Sequence, residues 1–255
     1  MNNQPMVGRL LLNWSGGPAW NMAVDEAIML SVSADAETGK QPQAVLRFYS
    51  WETPTLSLGY FQSNGDVASR FETLKRVRRS TGGGAIIHDK ELTYSLTIAT
   101  PAGQRGARHD LYQGVHEQII GQLGELGISA RPYRSDRSRI FDEQAFLCFQ
   151  RRTDEDIIVS GYKVVGSAQR RAKRAILQHG SVMMRSSPWA TELPGIADLS
   201  SKEIDREKFA NGLTQRIETL CHVKFQPSEL TEAELGIARR VELEKYSSDD
   251  WLDRR

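Results

Sequence analysis

The chain has 255 residues, 33 basic against 32 acidic, for a net charge of +1, and two cysteines. Near-neutral charge steers it to neither nucleic acid nor a membrane surface. Cys148 and Cys221 make neither a metal motif nor a disulfide framework, and a core of this size needs no such staple. The length fits a single unit over residues 1–255. Residues 1–17 lack a basic region followed by a long apolar stretch, so neither leader nor transmembrane span is expected and the cytoplasm is the default location.

Gly16-Gly17-Pro18 precedes a helical face of Met22, Ala23, Ala27 and Leu30, which predicts a helix over 21–32. Residues 44–50 and 55–62 read as extended, the second run alternating through Leu56, Leu58 and Tyr60. Strand-like pattern continues through 77–79, 85–87 and 92–98. It is interrupted by Gly82-Gly83-Gly84, which follow Arg78-Arg79-Ser80-Thr81 and precede an apolar run ending in His88-Asp89. Without Cβ, backbone can approach a ligand or another strand closely there. The triplet fits no nucleotide-loop template, and alone it reads equally as a bulge or turn.

Asp110 is placed as the cap of a helix whose Leu111, Val115, Ile119 and Leu123 repeat every four residues. Residues 156–159 and 162–165 predict a hairpin joined by Ser160-Gly161, and 175–184 alternates as a further strand. Phe209, Leu213, Ile217 and Leu220 share one helical face, and Thr231-x-x-Glu234 is a capping box. Strands gathered in the middle with helices at intervals predict an α/β or α+β fold with a mixed, largely antiparallel sheet flanked by helices. The basic runs at 76–79 and 170–174 read as solvated faces.

Cys148 alone reads as a small core hydrophobe, and Lys163, two residues past Gly161, as a solvated hairpin residue. Together they suggest more. A thiolate is a good nucleophile, a neighbouring cation favours it, and close-approach glycines complete a candidate acyl-transfer site. His88 and His179 are candidate general bases, although a strand histidine bonded to backbone is the commoner case. No histidine pair or Cys/His cluster supports a metal site.

Residues 78–89, then Gly161-Tyr162-Lys163-Val164-Val165-Gly166-Ser167-Ala168-Gln169-Arg170, then Leu177-Gln178-His179-Gly180-Ser181, resemble the biotin/lipoate protein ligase and octanoyltransferase superfamily. Asn21-Met22-Ala23-Val24-Asp25-Glu26-Ala27 is similar to its first-helix signature, and Lys245-Tyr246-Ser247-Ser248-Asp249-Asp250-Trp251 to its closing motif. The wording around Ser167 and His179, and a Cys-Phe pair fifteen residues before Lys163, resemble the octanoyltransferase branch of the LipM type. The loop departs from that branch: after Phe149 the chain reads Gln150-Arg151-Arg152-Thr153-Asp154 in place of an acidic residue and a Pro-Ser turn.

The resemblance implies a biotin/lipoate ligase catalytic-domain fold and transfer of an octanoyl group, with no cofactor. The donor would be acyl carrier protein. The acceptor would be a lysine of a lipoyl-domain protein, either glycine cleavage H protein or the acyltransferase subunit of a 2-oxoacid dehydrogenase. Cys148 would be the nucleophile and Lys163 the oxyanion donor. Gly82, Gly83, Gly84, Gly166, Ser167, Ala168 and His179 would bind substrate, with Arg79 and His88 at the rim. Arg151, Arg152, Arg170, Arg171 and Lys173 would meet an acidic partner. An ATP-dependent lipoate ligase and an amidotransferase between lipoyl domains remain the alternatives.

Overall fold

A computed structural model describes residues 5–40, 44–101, 106–135 and 145–255. The elements in chain order are β1 (Met6–Gly16), α1 (Pro18–Glu37), β2 (Ala44–Trp51), β3 (Thr55–Leu58), β4 (Lys75–Arg78), β5 (Ile86–His88), β6 (Glu91–Ala99) and α2 (Ala107–Glu125). There follow β7 (Arg131–Pro132), β8 (Ile157–Val159), β9 (Tyr162–Arg171), β10 (Ala175–Met183), α3 (Ile196–Ser200), α4 (Arg206–Cys221), β11 (Val223–Pro227), α5 (Glu232–Val241) and α6 (Asp249–Leu252). Among the described residues no helix is long and apolar enough to cross a membrane.

Eight strands form one sheet in the order β11-β1-β2-β6-β10-β9-β8-β7. Within this sheet, among the described residues, only β1 pairs in parallel, with β11 and β2; the other pairings are antiparallel. The expected mixed, largely antiparallel sheet is therefore present. The strands around the glycines do not join it. They make a separate sheet, β4-β3-β5, with its own core of Leu56, Leu58, Phe71, Ala85, Ile87 and Leu147.

Helices α2 and α4 cover one face of the large sheet through Leu111, Val115, Ile119, Phe209, Leu213 and Ile217. Helix α1 lies on the other face with α5 behind it, through Val24, Ala27, Ile28, Leu177 and Ala238. The small sheet sits beside α1 on that same side, and Met22, Ala23, Tyr49, Val77 and Tyr246 close the seam.

Several boundaries differ from expectation for local reasons. Helix α1 begins at Pro18, which has no N–H to leave unpaired at a first position. The run 55–62 stops at Leu58 because the chain turns at Gly59, where a Cβ would lie 1.9 Å from Gly83 O. Asp110 is not a cap: α2 starts at Ala107 behind Gly106, whose φ is +86°, and Asp110 lies in its first turn. The hairpin at Ser160-Gly161 and the capping box of Thr231 with Glu234 form as read. Ser160 and Gly161 both adopt positive φ, +48° and +80°, as a two-residue hairpin loop requires.

The basic run 76–79 is not a solvated face. Arg78 is buried and donates to the carbonyls of Gly59, Tyr60, Gln62, Trp251 and Leu252. Trp251 returns a bond from Nε1 to Arg78 O at 2.9 Å. The closing motif is thus a strap that holds β4 and the turn after β3, while Lys245 and Tyr246 anchor it to Glu26 of α1.

Candidate active site

The site begins with a polar seam on the buried face of α1. Asn21 and Asp25, one helical turn apart, both grip Arg47 of β2, through Oδ1 at 2.6 Å and 2.9 Å. Asp25 also accepts from Tyr49, from Ser95 Oγ at 2.9 Å and from His179 Nδ1 at 3.1 Å. Burial works against its charge, but the bonds from His179 and the Arg47 guanidinium outweigh it and hold the carboxyl below its ordinary value. On the other side of the ring, His179 Nε2 lies 2.8 Å from Thr81 Oγ1. One chain of bonds therefore links α1, through β10, to the glycine loop.

Arg79 shapes that loop from inside. Its Nη1 donates to Ser57 O at 2.6 Å and Ser57 Oγ at 2.9 Å, and its Nη2 to Gly82 O at 3.1 Å and Gly84 O at 2.9 Å. Burial pushes its pKa down to about 10, against the opposing influence of Cys148 and Tyr49. Gly83 has φ +95°. Gly84 is placed against the cysteine: a Cβ there would lie 2.8 Å from Cys148 N and 2.9 Å from Cys148 Cα. Ala85 and Leu147 form a parallel bridge, with Ala85 N–H donating to Phe146 O at 3.0 Å and Cys148 N–H to Ala85 O at 2.7 Å. Cys148 opens a single 3-10 turn, Cys148–Gln150, and is half-buried.

Lys163 reaches the cysteine because β9 carries a bulge. Ile158 pairs with Lys163 but Ile157 with Val165, so Val164 is the extra residue. A bulge shifts the alternation of the strand, which lets Lys163 and Gly166, three residues apart, share a face. A Cβ on Gly166 would lie 2.5 Å from Lys163 Cε. Lys163 is therefore no solvated hairpin residue; it is 5% exposed. Its Nζ lies 2.8 Å from Asp156 Oδ2, 3.4 Å from Cys148 O and 3.5 Å from Cys148 Sγ. Burial opposes the charged ammonium, but Asp156 and Cys148 outweigh it and raise its pKa above the ordinary lysine value.

Between the large sheet, the small sheet and the start of α1 lies a mostly apolar cavity. Cys148, Arg79, Gly82, Gly83, His88, Gly166, Ser167, Ala168 and His179 all line it, so the structure brings together the residues that sequence proposed. Gly84 and Lys163 stand behind that lining, the first under Cys148 and the second against its sulfur. Arg79 and His88, expected at the rim, are buried inner-wall residues.

His88 stacks on Trp51, ring centroids 3.9 Å apart, and its Nδ1 lies 2.8 Å from Glu91 Oε1. Burial lowers its pKa despite the pull of Glu91, so the ring is neutral and its Nε2 is a buried acceptor with no hydrogen-bond partner among the described residues. Arg151 and Arg152, expected to face a partner, are half-buried and donate to the backbone of Ala145 and Phe149. Arg170, Arg171 and Lys173 are exposed.

Asp25, Thr81, Glu91, Trp51 and Asp156 were missed as site residues. Asp156 had a legible signal, since folding the chain at Ser160-Gly161 brings it across from the strand that carries Lys163. Glu91 meets His88 across a three-residue turn, and the others come together through packing of α1 and the small sheet against the large one.

A model of the lipoyl protein ligase A/B catalytic domain matches residues 17–235. The chain belongs to that family. The octanoyltransferase LipM of Kyrpidia tusciae is 33% identical to it over 95% of this chain and 97% of that protein. LipM of Bacillus subtilis is 29% identical over 97% and 98%. Among solved structures of the lipoyl ligase fold, lipoate-protein ligase A bound with ATP superposes with a TM-score of 0.77 at 26% identity, covering 97% of this chain and 98% of that one. A candidate lipoate protein ligase from T. acidophilum gives 0.79 at 25% identity, covering 98% and 100%. At the cavity of this chain the Cys148 sulfur and the Lys163 ammonium meet at 3.5 Å.

Proposed function

We propose that this chain is an octanoyltransferase of protein lipoylation that works through an acyl-cysteine on Cys148. The observation that carries the reading is the 3.5 Å contact between Lys163 Nζ and Cys148 Sγ beside an apolar cavity. Similarity to LipM proteins over nearly the whole chain supports the same activity. The proposed donor is octanoyl-acyl carrier protein, and the acceptor is a lysine of a lipoyl domain.

The Cys148 thiolate attacks the thioester carbonyl carbon. A new C–S bond forms, the carrier's C–S bond breaks, and the carrier leaves as a thiolate that takes a proton from solvent. The neutral amine of the acceptor lysine then attacks the acyl-cysteine. An amide forms, the Cys148 thiolate is regenerated, and the amine proton passes to solvent. Thioester exchange is nearly isoenergetic and amide formation is downhill, so no ATP is consumed.

Lys163 has one hydrogen for Asp156 and two toward Cys148. When Sγ is acylated it gives up its negative charge, and a hydrogen directed at it becomes available to the developing oxyanion. The Cys148 N–H is already given to Ala85 O, which makes Lys163 the nearest donor for that task. Apolar walls hold the chain at about 0.8 kcal/mol per buried CH₂.

The test is intact-protein mass after incubation with octanoyl-acyl carrier protein and no ATP. A single octanoyl adduct on the wild type, absent in Cys148→Ala and removed by hydroxylamine, is the expected result. No adduct from that donor refutes the carrier route. An adduct from an octanoylated lipoyl domain, or transfer of lipoate that needs ATP, would redirect the reading to an amidotransferase or a ligase.

A further inference from the structure

The α2 face of the large sheet carries a second buried polar array, of which the acyl-transfer reading uses Ser167 at the cavity and leaves the rest without a task. His116 of α2 is 1% exposed. Its Nδ1 lies 2.6 Å from the carbonyl oxygen of Glu155, which can only accept, so Nδ1 carries a proton. Burial holds the ring below its ordinary pKa against the pull of Glu155 and Asp156. The ring is therefore neutral, and Nε2 accepts from Ser167 Oγ at 2.7 Å.

The remaining directions follow from that one. Ser167 Oγ accepts from Tyr94 Oη at 2.6 Å, and Tyr94 Oη accepts from Gln178 Nε2 at 3.1 Å. Gln178 Oε1 accepts from Gln169 Nε2 at 2.8 Å. Tyr112, whose ring centroid is 4.4 Å from the imidazole, donates to Ser167 O at 3.0 Å.

The two anchors of His116 bracket the proposed reacting pair. Glu155 precedes Asp156, which holds Lys163 Nζ at 2.8 Å. Ser167 follows Gly166, against whose Cα the Lys163 stem packs. Between these anchors β9 bulges at Val164, where the ladder is interrupted and side-chain ties matter most. We propose that His116, as the neutral Nδ1–H tautomer, is a positioning residue for acyl transfer. It ties the turn before β8 to β9, and so sets Asp156, then Lys163, then the Cys148 sulfur. The inference rests on Cys148 and Lys163 being the reacting pair. His116 touches neither acyl chain nor acceptor, and it acts only through these neighbours.

The test has one measurement on the wild type and two on variants. Imidazole ¹⁵N spectra near neutral pH should show His116 as the neutral Nδ1–H tautomer; an Nε2–H tautomer or an imidazolium overturns the proposal. His116→Phe keeps ring volume and loses both bonds, whereas His116→Asn places an amide N–H near Nδ1 and restores the tie to Glu155. The readouts are the alkylation rate of Cys148 by iodoacetamide, which needs no acyl donor, and kcat and KM for octanoyl transfer.

His116→Phe should slow alkylation and kcat on the order of 10- to 100-fold with little change in KM, as displacement of a reacting group by up to about an ångström does. His116→Asn should recover most of the loss. A cooperatively folded His116→Phe that alkylates at the wild-type rate overturns the proposal. If His116→Phe does not fold, a folded His116→Asn with a loss of 10-fold or more does so instead. Alkylation that depends on His116, with no acyl adduct from any donor, would sink the octanoyltransferase reading and leave the positioning role standing.

Discussion

Alanine scanning of the three consecutive glycines offers a graded test of the site, because the structure gives each a different reason to be glycine. At Gly84 the backbone is ordinary and the obstacle is steric. A Cβ would lie 2.9 Å from Cys148 Cα and 2.8 Å from Cys148 N, where carbon contacts settle at roughly 3.5 Å or more. Cys148 must then retreat by about 0.6 Å. The bridge bonds on either side, Ala85 N–H to Phe146 O at 3.0 Å and Cys148 N–H to Ala85 O at 2.7 Å, resist that movement. Overpacking of this kind costs about 1–3 kcal/mol; a full ångström of misplacement costs about 10²-fold in rate, so a shift of about 0.6 Å should cost roughly 10-fold or more.

At Gly83 the obstacle is instead the positive φ of +95°. Its nearest neighbour, Arg79 Nη2, would stand 3.5 Å from a Cβ, so Gly83→Ala should lose about 1–3 kcal/mol through backbone strain. At Gly82 a Cβ would meet only the Phe61 ring, at 3.9 Å, and Gly82→Ala should be the mildest of the three. The assay is the rate of Cys148 acylation by mass spectrometry, beside urea unfolding of each variant. Gly84→Ala acylating at the wild-type rate, or Gly82→Ala proving as damaging as Gly84→Ala, would refute the steric argument.

Lys163→Met should slow adduct formation by about 10²–10³, the usual loss on removing one oxyanion donor; a rate within threefold of wild type would remove Lys163 from the chemistry. Asp156→Asn strands a buried ammonium and should cost about 3–5 kcal/mol in urea unfolding, and an unchanged midpoint would contradict the buried pair. His88 and His116 both titrate below their ordinary 6.5 when folded, so the unfolded chain binds more protons below that pH. Stability present above pH 6.5 should therefore fall as pH drops through it, by up to about 1.4 kcal/mol per pH unit for each histidine. A flat profile from pH 7.5 to 5.5 in urea melts would argue that neither ring is held neutral. Arg78→Lys keeps the charge but loses the fork that serves five carbonyls. It should lower stability by at least about 2 kcal/mol, and an unchanged urea midpoint would show that the C-terminal strap bears no weight.

Local rules made much of this protein legible in one dimension. The hairpin at Ser160-Gly161, the capping box at Thr231 and the mixed sheet follow from turn chemistry and periodicity, which act over a few residues. The proposed nucleophile and its lysine are legible by residue type and by resemblance, not by local pattern, which places Lys163 in solvent. Three matters were decided only in three dimensions. One extra residue in β9 turned Lys163 inward, and alternation carries no sign of it. The run that holds Arg78 and Arg79 reads as a solvated face, yet Arg78 serves carbonyls that meet only when the small sheet and the C-terminal strap close together, and Arg79 serves those of Ser57, Gly82 and Gly84. The three glycines are alike in sequence; Gly84 differs from its neighbours because Cys148, sixty-four positions on, is bridged beneath it. Long-range pairing sets these outcomes, since a backbone contact between distant segments leaves its demand for space on each residue and no pattern along the chain.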